Sequence, residues 1–371
     1  MTTLAALALV IWLWLLLAHG RFWQEGPVLA ASVPRAAPPV AVIVPARDEA
    51  AGIAATLRSL LAQDYPGRFR VILVDDESTD GTGTRARAIA DPRLSVLTGR
   101  PRPTGWSGKL WAVAQGVEAA GDAPLLLLTD ADILHDPHHL SALVARAEAI
   151  GADLVSEMVA LACDTPAERA LVPGFVYFFQ MLYPFAWVND PLRATAAAAG
   201  GTMLIRAAAL DRIGGIAAVR GALIDDVALA GAIKRGGRIW LGHSALARSV
   251  RRYDGFGAIR TMIARTAYVQ LRFSPWRLAG TVAGMSLVFL LPPLAALFGS
   301  GLARILGLAG WAAMAASFLP SLRRAGLSCW RAASLPAVAA FFLFATLESA
   351  WNHHAGAGVA WRGRAYAGGG A

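Results

Sequence analysis

The stretch Leu125–Asp132, LLLLTDAD, constrains this chain more than any other. Four leucines and a threonine run without polar alternation into two carboxylates. Such a run suits a strand buried on both faces, as in parallel sheets. Asp130 and Asp132 then stand where the strand leaves the core. Residues i and i+2 of an extended chain point the same way, so the two carboxylates share one side. At the carboxyl end of a parallel strand they offer oxygen ligands to a hard divalent cation, which takes the rest of its shell from water and substrate phosphates. The plain alternative is a solvated turn, with Asp136 and Pro137 as further turn residues.

The 371-residue chain is 56% hydrophobic and only 16% charged, too apolar for an ordinary soluble enzyme. Its two cysteines, Cys163 and Cys329, are too far apart in sequence for a C-x-x-C site and too few for a disulfide framework. The net charge of +9 is carried almost wholly by arginine, with Lys109 and Lys234 the only lysines. A basic face suits anionic lipid head groups or a nucleotide diphosphate. No nucleic-acid-binding module is recognisable, so no nucleic acid is expected as a partner.

Taken in order, residues 1–21 read as an uncleaved transmembrane helix: the apolar run Leu4–Ala18 closes at Arg21 and lacks a basic n-region before it. Residues 22–39 read as a linker, rich in Pro and Ala at its end. Strand-like runs follow at Val40–Val44, Arg70–Val74, Leu94–Leu97 and Leu125–Leu128. Helical spacing lies between them at Ala50–Ala62, Thr84–Ala90 and Lys109–Ala120. This alternation predicts an α/β domain, Rossmann-like, with a mostly parallel sheet, over 40–277. Glu49, Asp75, Asp76, Asp130 and Asp132 all fall just past strand ends, where ligands of such sheets bind. The aromatic run Val172–Val188, broken by Pro173 and Pro184, is expected as a helix lying on the bilayer surface, with a buried core helix as the alternative. Residues 278–371 read as a membrane region of about three helices: Leu278–Phe298, Leu302–Leu319 and Ala332–Ala350. Arg323, Arg324 and Arg331 mark a cytoplasmic loop, but a third full crossing would carry Arg362 and Arg364 outside, against the positive-inside rule.

Six motifs appear in one order: VIVPARDE (42–49), VDDESTDGT (74–82), GWSGKLWAVAQG (105–116), TDAD (129–132), GGTMLIR (200–206) and LIDDVAL (223–229). Together they make residues 40–274 similar to the family 2 glycosyltransferases, whose nucleotide-sugar-binding domain has the GT-A fold. The flanking apolar helices and the tail GVAWRGRAY (358–366) look most like the membrane-bound, hopene-associated branch of that family.

The resemblance implies roles. Pro45, Arg47 and Glu49 in the first turn, with Asp76, would bind the base and ribose of the nucleotide; a carboxylate is a natural acceptor for ribose hydroxyls. Lys109 would lie near the diphosphate. Asp130 would face the nucleotide and, with Asp132, hold Mg²⁺ or Mn²⁺, which neutralises the leaving diphosphate. Gly200, Gly201 and Asp225 belong to the substrate site. Asp226 would be the general base of an inverting transfer, taking the proton of the acceptor hydroxyl. The family usually has Glu-Asp where this chain has Asp225–Asp226. The family's Gln-x-x-Arg-Trp motif is not intact; Arg272, followed by Phe273, is the nearest match for a diphosphate contact. His135, His138 and His139 have the spacing of a solvated turn rather than a metal site.

The expected enzyme is therefore a hexosyltransferase of the bacterial cytoplasmic membrane, multi-pass, with its catalytic domain in the cytoplasm. Its expected partners are a nucleotide-sugar donor, most simply a UDP-sugar, and a lipid acceptor in hopanoid metabolism. Polyprenyl phosphate, carotenoid and sphingoid lipid are alternative acceptors. A dinucleotide oxidoreductase is disfavoured because Pro45–Asp48 stands where G-x-G-x-x-G would be. A non-catalytic membrane scaffold is disfavoured by the complete carboxylates at 76, 130, 132 and 226.

Overall fold

A computed structural model of the chain describes residues 1–355, 359–361 and 364–366. Gly358, Arg362 and Gly363 of the tail motif therefore lie outside the described residues. The chain divides into two compact units.

One unit comprises residues 27–162, 187–251 and 360–371. Its sheet has nine strands: β1 (Val28–Leu29), β2 (Val40–Ala46), β3 (Phe69–Asp75), β4 (Leu94–Thr98), β5 (Leu125–Thr129), β6 (Ile133–His135), β7 (Leu154–Ala160), β8 (Thr202–Arg206) and β9 (Ile239–Ser249). The order is β1-β9-β7-β8-β5-β2-β3-β4, with β6 pairing β9. The expected α/β fold with a mostly parallel sheet is present, and β1 lies within the segment read as a linker. All of β2 and β5 is buried, as their unbroken apolar sequences require. Two departures from parallel order shape the site. β8 runs antiparallel between β5 and β7, and β6 runs antiparallel to β9.

Behind β5 lies a buried polar chain. His135 Nε2 meets Thr129 Oγ1 at 3.2 Å, and His135 Nδ1 meets His139 Nδ1 at 2.9 Å. His139 Nε2 reaches Glu157 Oε1, which also accepts from the Ser244 hydroxyl at 2.8 Å. His139 and Glu157 are fully buried and His135 nearly so, so the expected solvated turn holds only for His138, which is exposed and pairs with Asp64. The sequence pattern misled because His139 begins a helix, His139–Ile150, whose apolar face includes its own first residue.

The other unit comprises residues 1–26, 163–186 and 252–359 and is helical. Residues 163–186 and 252–277, read from sequence as part of the 40–277 domain, belong here. Among the described residues, three helical stretches are long and apolar enough to cross a membrane: Pro275–Phe298, Gly301–Arg324 and Cys329–His354. The N-terminal helix, Thr2–Leu17, has 16 residues, about 24 Å at 1.5 Å per residue against a hydrocarbon core of about 30 Å. The aromatic helix Pro166–Leu182 does not lie as a surface helix with its rings outward. Tyr177 is buried and donates or accepts at Ser317 Oγ (2.8 Å), while the Phe178 ring lies 5.5 Å from Phe289 and 4.9 Å from Phe342. Aromatic rings buried at such spacings are core, the alternative reading of that run. A π-helical segment, Ser286–Leu290, precedes Pro292 and Pro293. The carbonyl of Val288 would normally accept from residue 292, which has no N–H; the Trp12 indole supplies it instead at 2.7 Å. At the other end of this bundle the His353 ring stacks on Phe273 at 4.4 Å, and the Tyr268 amide donates to Ser349 Oγ at 3.1 Å. The last helix thus finishes beside the residues that start the Pro275–Phe298 stretch.

The buried histidines give a first prediction. Burial, with His139 alongside, holds His135 well below the usual imidazole range. The unfolded chain takes up this proton near pH 6.5 while the folded chain resists it, so stability is intact above that pH and falls below it. Melting temperatures at pH 7.5 and 5.5 should show the drop, and His135→Gln should shrink it. A drop that His135→Gln leaves unchanged would contradict the assignment.

Candidate active site

The carboxyl ends of β2, β3 and β5 lie side by side. Ala46 is in register with Asp75, which puts the turn after β2 next to Asp76. Arg47 Nη1 donates to the Asp76 carbonyl at 2.5 Å and lies 3.9 Å from its carboxylate. Asp76 is 1% exposed, and its amide donates to the Ala46 carbonyl. The first turn is fixed from the other side too. Asp48, at φ 51°, accepts from the Thr79 amide, and the Ala50 amide donates to Asp80. Pro45, Arg47, Glu49 and Asp76 are thus brought into one corner.

β5 delivers Asp130 and Asp132. Because β8 is antiparallel to β5, with Thr129 opposite Thr202, the residues entering β8 lie beside Asp130. Gly200 and Gly201 are those residues. The Thr129 hydroxyl donates to the Gly201 carbonyl at 2.8 Å. A Cβ on Gly200 would sit 3.3 Å from Lys109 Nζ and 3.4 Å from Asp226 Oδ2, so glycine permits the close approach of backbone to charge. The Gly200 amide uses that approach, donating to Asp226 Oδ2 at 2.9 Å.

Lys109 ties these pieces together. It follows the Ser107 cap of the Gly108–Ala119 helix. Its ammonium lies 2.9 Å from Asp130 Oδ1 and 3.2 Å from Asp225 Oδ2. Burial alone would lower its pKa, but Asp130 and Asp225 hold it well above the ordinary lysine range. Lys109, Asp130, Gly200 and Asp225 line one recess with Pro45 and Thr129.

Asp226 stands in the first turn of the Asp225–Lys234 helix. Desolvation, reinforced by Asp225, pushes its carboxyl up to about 7, against the pull of Lys109 and the Val227 and Gly200 amides. A carboxyl held there exchanges protons readily near neutral pH, which suits a general base. Asp130 is also raised, by desolvation and by Asp132 and Asp225, with Lys109 opposing. The cleft therefore carries more carboxylate than its lysine neutralises.

That surplus bears on a metal. Among the described residues no group of three or more His, Cys, Asp and Glu is arranged to hold an ion. Asp130 and Asp132 each keep one oxygen outside the ion pairs made by Oδ1 and Oδ2 respectively. Two carboxylates in a cleft of excess negative charge fit a hard divalent ion that takes its other oxygens from water and phosphate.

Sequence reasoning missed Arg251. Its Nε lies 2.7 Å from Asp132 Oδ2 and its Nη2 3.2 Å from Glu49 Oε1. The cause is the β6–β9 pairing, which sets Ile133 opposite Ser249, so the residues after β9 return to Asp132. No local pattern announces that pairing. Arg272 belongs to the helical unit, exposed, at φ 53° after the Gly255–Gln270 helix.

Residues 41–214 match the model of the family described as Glycosyl transferase family 2. The chain is 36% identical over 118 residues to an N-acetylglucosaminyltransferase of Rhizobium meliloti (strain 1021), a match over 30% of this chain and 27% of that protein. The chain thus matches only about a quarter of that relative's length. Among solved structures it is similar to the mannosyltransferase PcManGT from Pyrobaculum calidifontis in complex with GDP-Man and Mn²⁺, with a TM-score of 0.58, 22% identity, and coverage of 95% of this chain and 99% of that one. The fold is GT-A, residues 41–214 are similar to family 2 glycosyltransferase domains, and these findings support a glycosyltransferase.

Proposed function

We propose that the protein transfers a sugar, with inversion at C1, from a nucleoside diphosphate sugar to a lipid hydroxyl. The observation that carries this reading is Asp226, held near neutrality beside the Lys109–Asp130–Asp225 cluster. The acceptor O–H gives its proton to Asp226 as its oxygen bonds to C1, and the C1–oxygen bond to the diphosphate breaks. The Gly200 and Val227 amides orient the carboxylate for that task. Lys109 pairs with Asp130 and Asp225 and lowers the Asp226 carboxyl only in part. Asp130 and Asp132 would hold Mg²⁺ or Mn²⁺, which supplies positive charge to the departing diphosphate. The first-turn residues and Asp76 would take the base and ribose.

The membrane-length helices support a lipid acceptor, and the sequence likeness to the hopene-associated branch points to hopanoid metabolism. Comparing lipid extracts of a deletion strain by mass distinguishes a hopanoid from a polyprenyl phosphate, carotenoid or sphingoid acceptor. UDP-sugar is the donor expected from sequence. PcManGT was solved with GDP-Man, so UDP and GDP are both to be compared as ligands.

Transfer to lipid should lose activity as pH falls through about 7, the value at Asp226. Asp226→Asn should lower kcat by about 10²–10⁴-fold, with nucleotide affinity little changed. Radiolabelled-sugar transfer assays with calorimetry of UDP and GDP measure both. Full activity in Asp226→Asn contradicts the mechanism.

The proposed location is the bacterial cytoplasmic membrane, with the sheet unit in the cytoplasm, where nucleotide sugars are made. The stacking of His353 on Phe273 supports a last helix that ends on the side where Pro275–Phe298 begins, which relieves the conflict with the positive-inside rule. Reporter fusions after residues 274 and 355 should both report cytoplasm. A periplasmic signal at 355 alone would restore a third full crossing.

A further inference from the structure

We propose that Arg251 is a built-in counter-ion of the metal site: it occupies Asp132 until a nucleotide diphosphate brings in the divalent ion, and so couples metal binding to donor binding. The inference rests on the metal reading above and concerns a residue which that reading does not use.

Arg251 reaches Asp132, Glu49 and Ser249. Its Nε lies 2.7 Å from Asp132 Oδ2, its Nη2 3.2 Å from Glu49 Oε1, and its amide donates to Ser249 Oγ at 3.2 Å. The backbone beneath is anchored, since the neighbouring Val250 amide donates to the Asp132 carbonyl at 2.8 Å. The side chain is 37% exposed, which leaves it room to turn. A guanidinium is always protonated and presents its donors as a rigid fork. The fork here spans two carboxylates from different motifs, one in the turn after β2 and one after β5.

A divalent ion reaching Asp132 must compete with this cation. Without nucleotide, the ion and the guanidinium repel each other across one carboxylate. A diphosphate supplies the negative charge that draws the divalent ion to Asp132 in place of the guanidinium. Glu49 gives the guanidinium a second partner, so it can release Asp132 without being left unpaired in the cleft. Metal alone should therefore bind weakly, and metal with nucleotide tightly. This keeps the site from filling with an ion that has no donor to act on. Arg251 acts through Asp132, so it is a positioning residue rather than a catalytic one.

The test uses the full-length purified chain and Mn²⁺ as the probe, followed by electron spin resonance with and without UDP or GDP. In the wild type, Mn²⁺ alone should bind weakly and nucleotide should strengthen it. Arg251→Gln should bind Mn²⁺ alone more tightly, within the roughly 5–150-fold range of ordinary coupling between sites, and the strengthening by nucleotide should shrink. Arg251→Lys keeps a cation and should restore part of the coupling. A residue that merely held Asp132 in place would give the opposite sign, with weaker Mn²⁺ binding in both variants. That result overturns the counter-ion while leaving the metal site intact. Wild-type protein that binds nucleotide equally with and without Mn²⁺ overturns the metal reading itself, and the counter-ion with it. Should Arg251→Gln fail to fold, the Arg251→Lys result decides: coupling equal to or stronger than wild type counts against the proposal.

Discussion

Everything in the cleft is arranged around one ammonium and the carboxylates it cannot fully satisfy. Lys109 contacts Asp130 and Asp225, and Asp226 lies next in line. One positive charge holds two carboxylates in close array, and the third, Asp226, is left with the Gly200 and Val227 amides and, like Asp130, a raised pKa. Burial raises the Asp226 carboxyl and Asp225 adds to it, and the surplus of carboxylate suits a divalent ion.

The sheet makes that crowding possible. A purely parallel sheet would bring β5 and its neighbours to the site but not Gly200. The antiparallel β8 starts where β5 ends, so a strand entrance meets a strand exit at Thr202 and Thr129. The antiparallel β6–β9 pair does the same for Arg251 and Asp132. Two reversals in an otherwise mostly parallel sheet thus contribute the backbone amide that orients Asp226 and the guanidinium that meets Asp132.

The first half of the sheet was legible because local signals sufficed. Unbroken apolar runs marked β2, β3 and β5, and the observed strands extend them by only a residue or two. Carboxylates just past those ends were readable for the same reason. After Asp153 the elements are set by long-range pairing, so β8's direction and the Arg251 contact had no local trace. The His135–His139 pair was misread because polar residues near Pro137 imitate a turn, and only the fold shows Glu157 waiting behind them. The aromatic run 172–188 was ambiguous by composition: rings serve a bilayer interface or a packed core equally well, and here Phe289, Phe318 and Phe342 make the core.

The central claim is that burial, reinforced by Asp225 and opposed by Lys109, sets the protonation of Asp226. Infrared difference spectroscopy reads it directly, by subtracting Asp226→Asn from wild type across pH and following the carboxyl stretch. The account predicts a midpoint of about 7 in the wild type and a higher one when Lys109 is replaced by Met, because Lys109 lowers the Asp226 pKa. A wild-type midpoint near 4, unmoved by Lys109→Met, would contradict it.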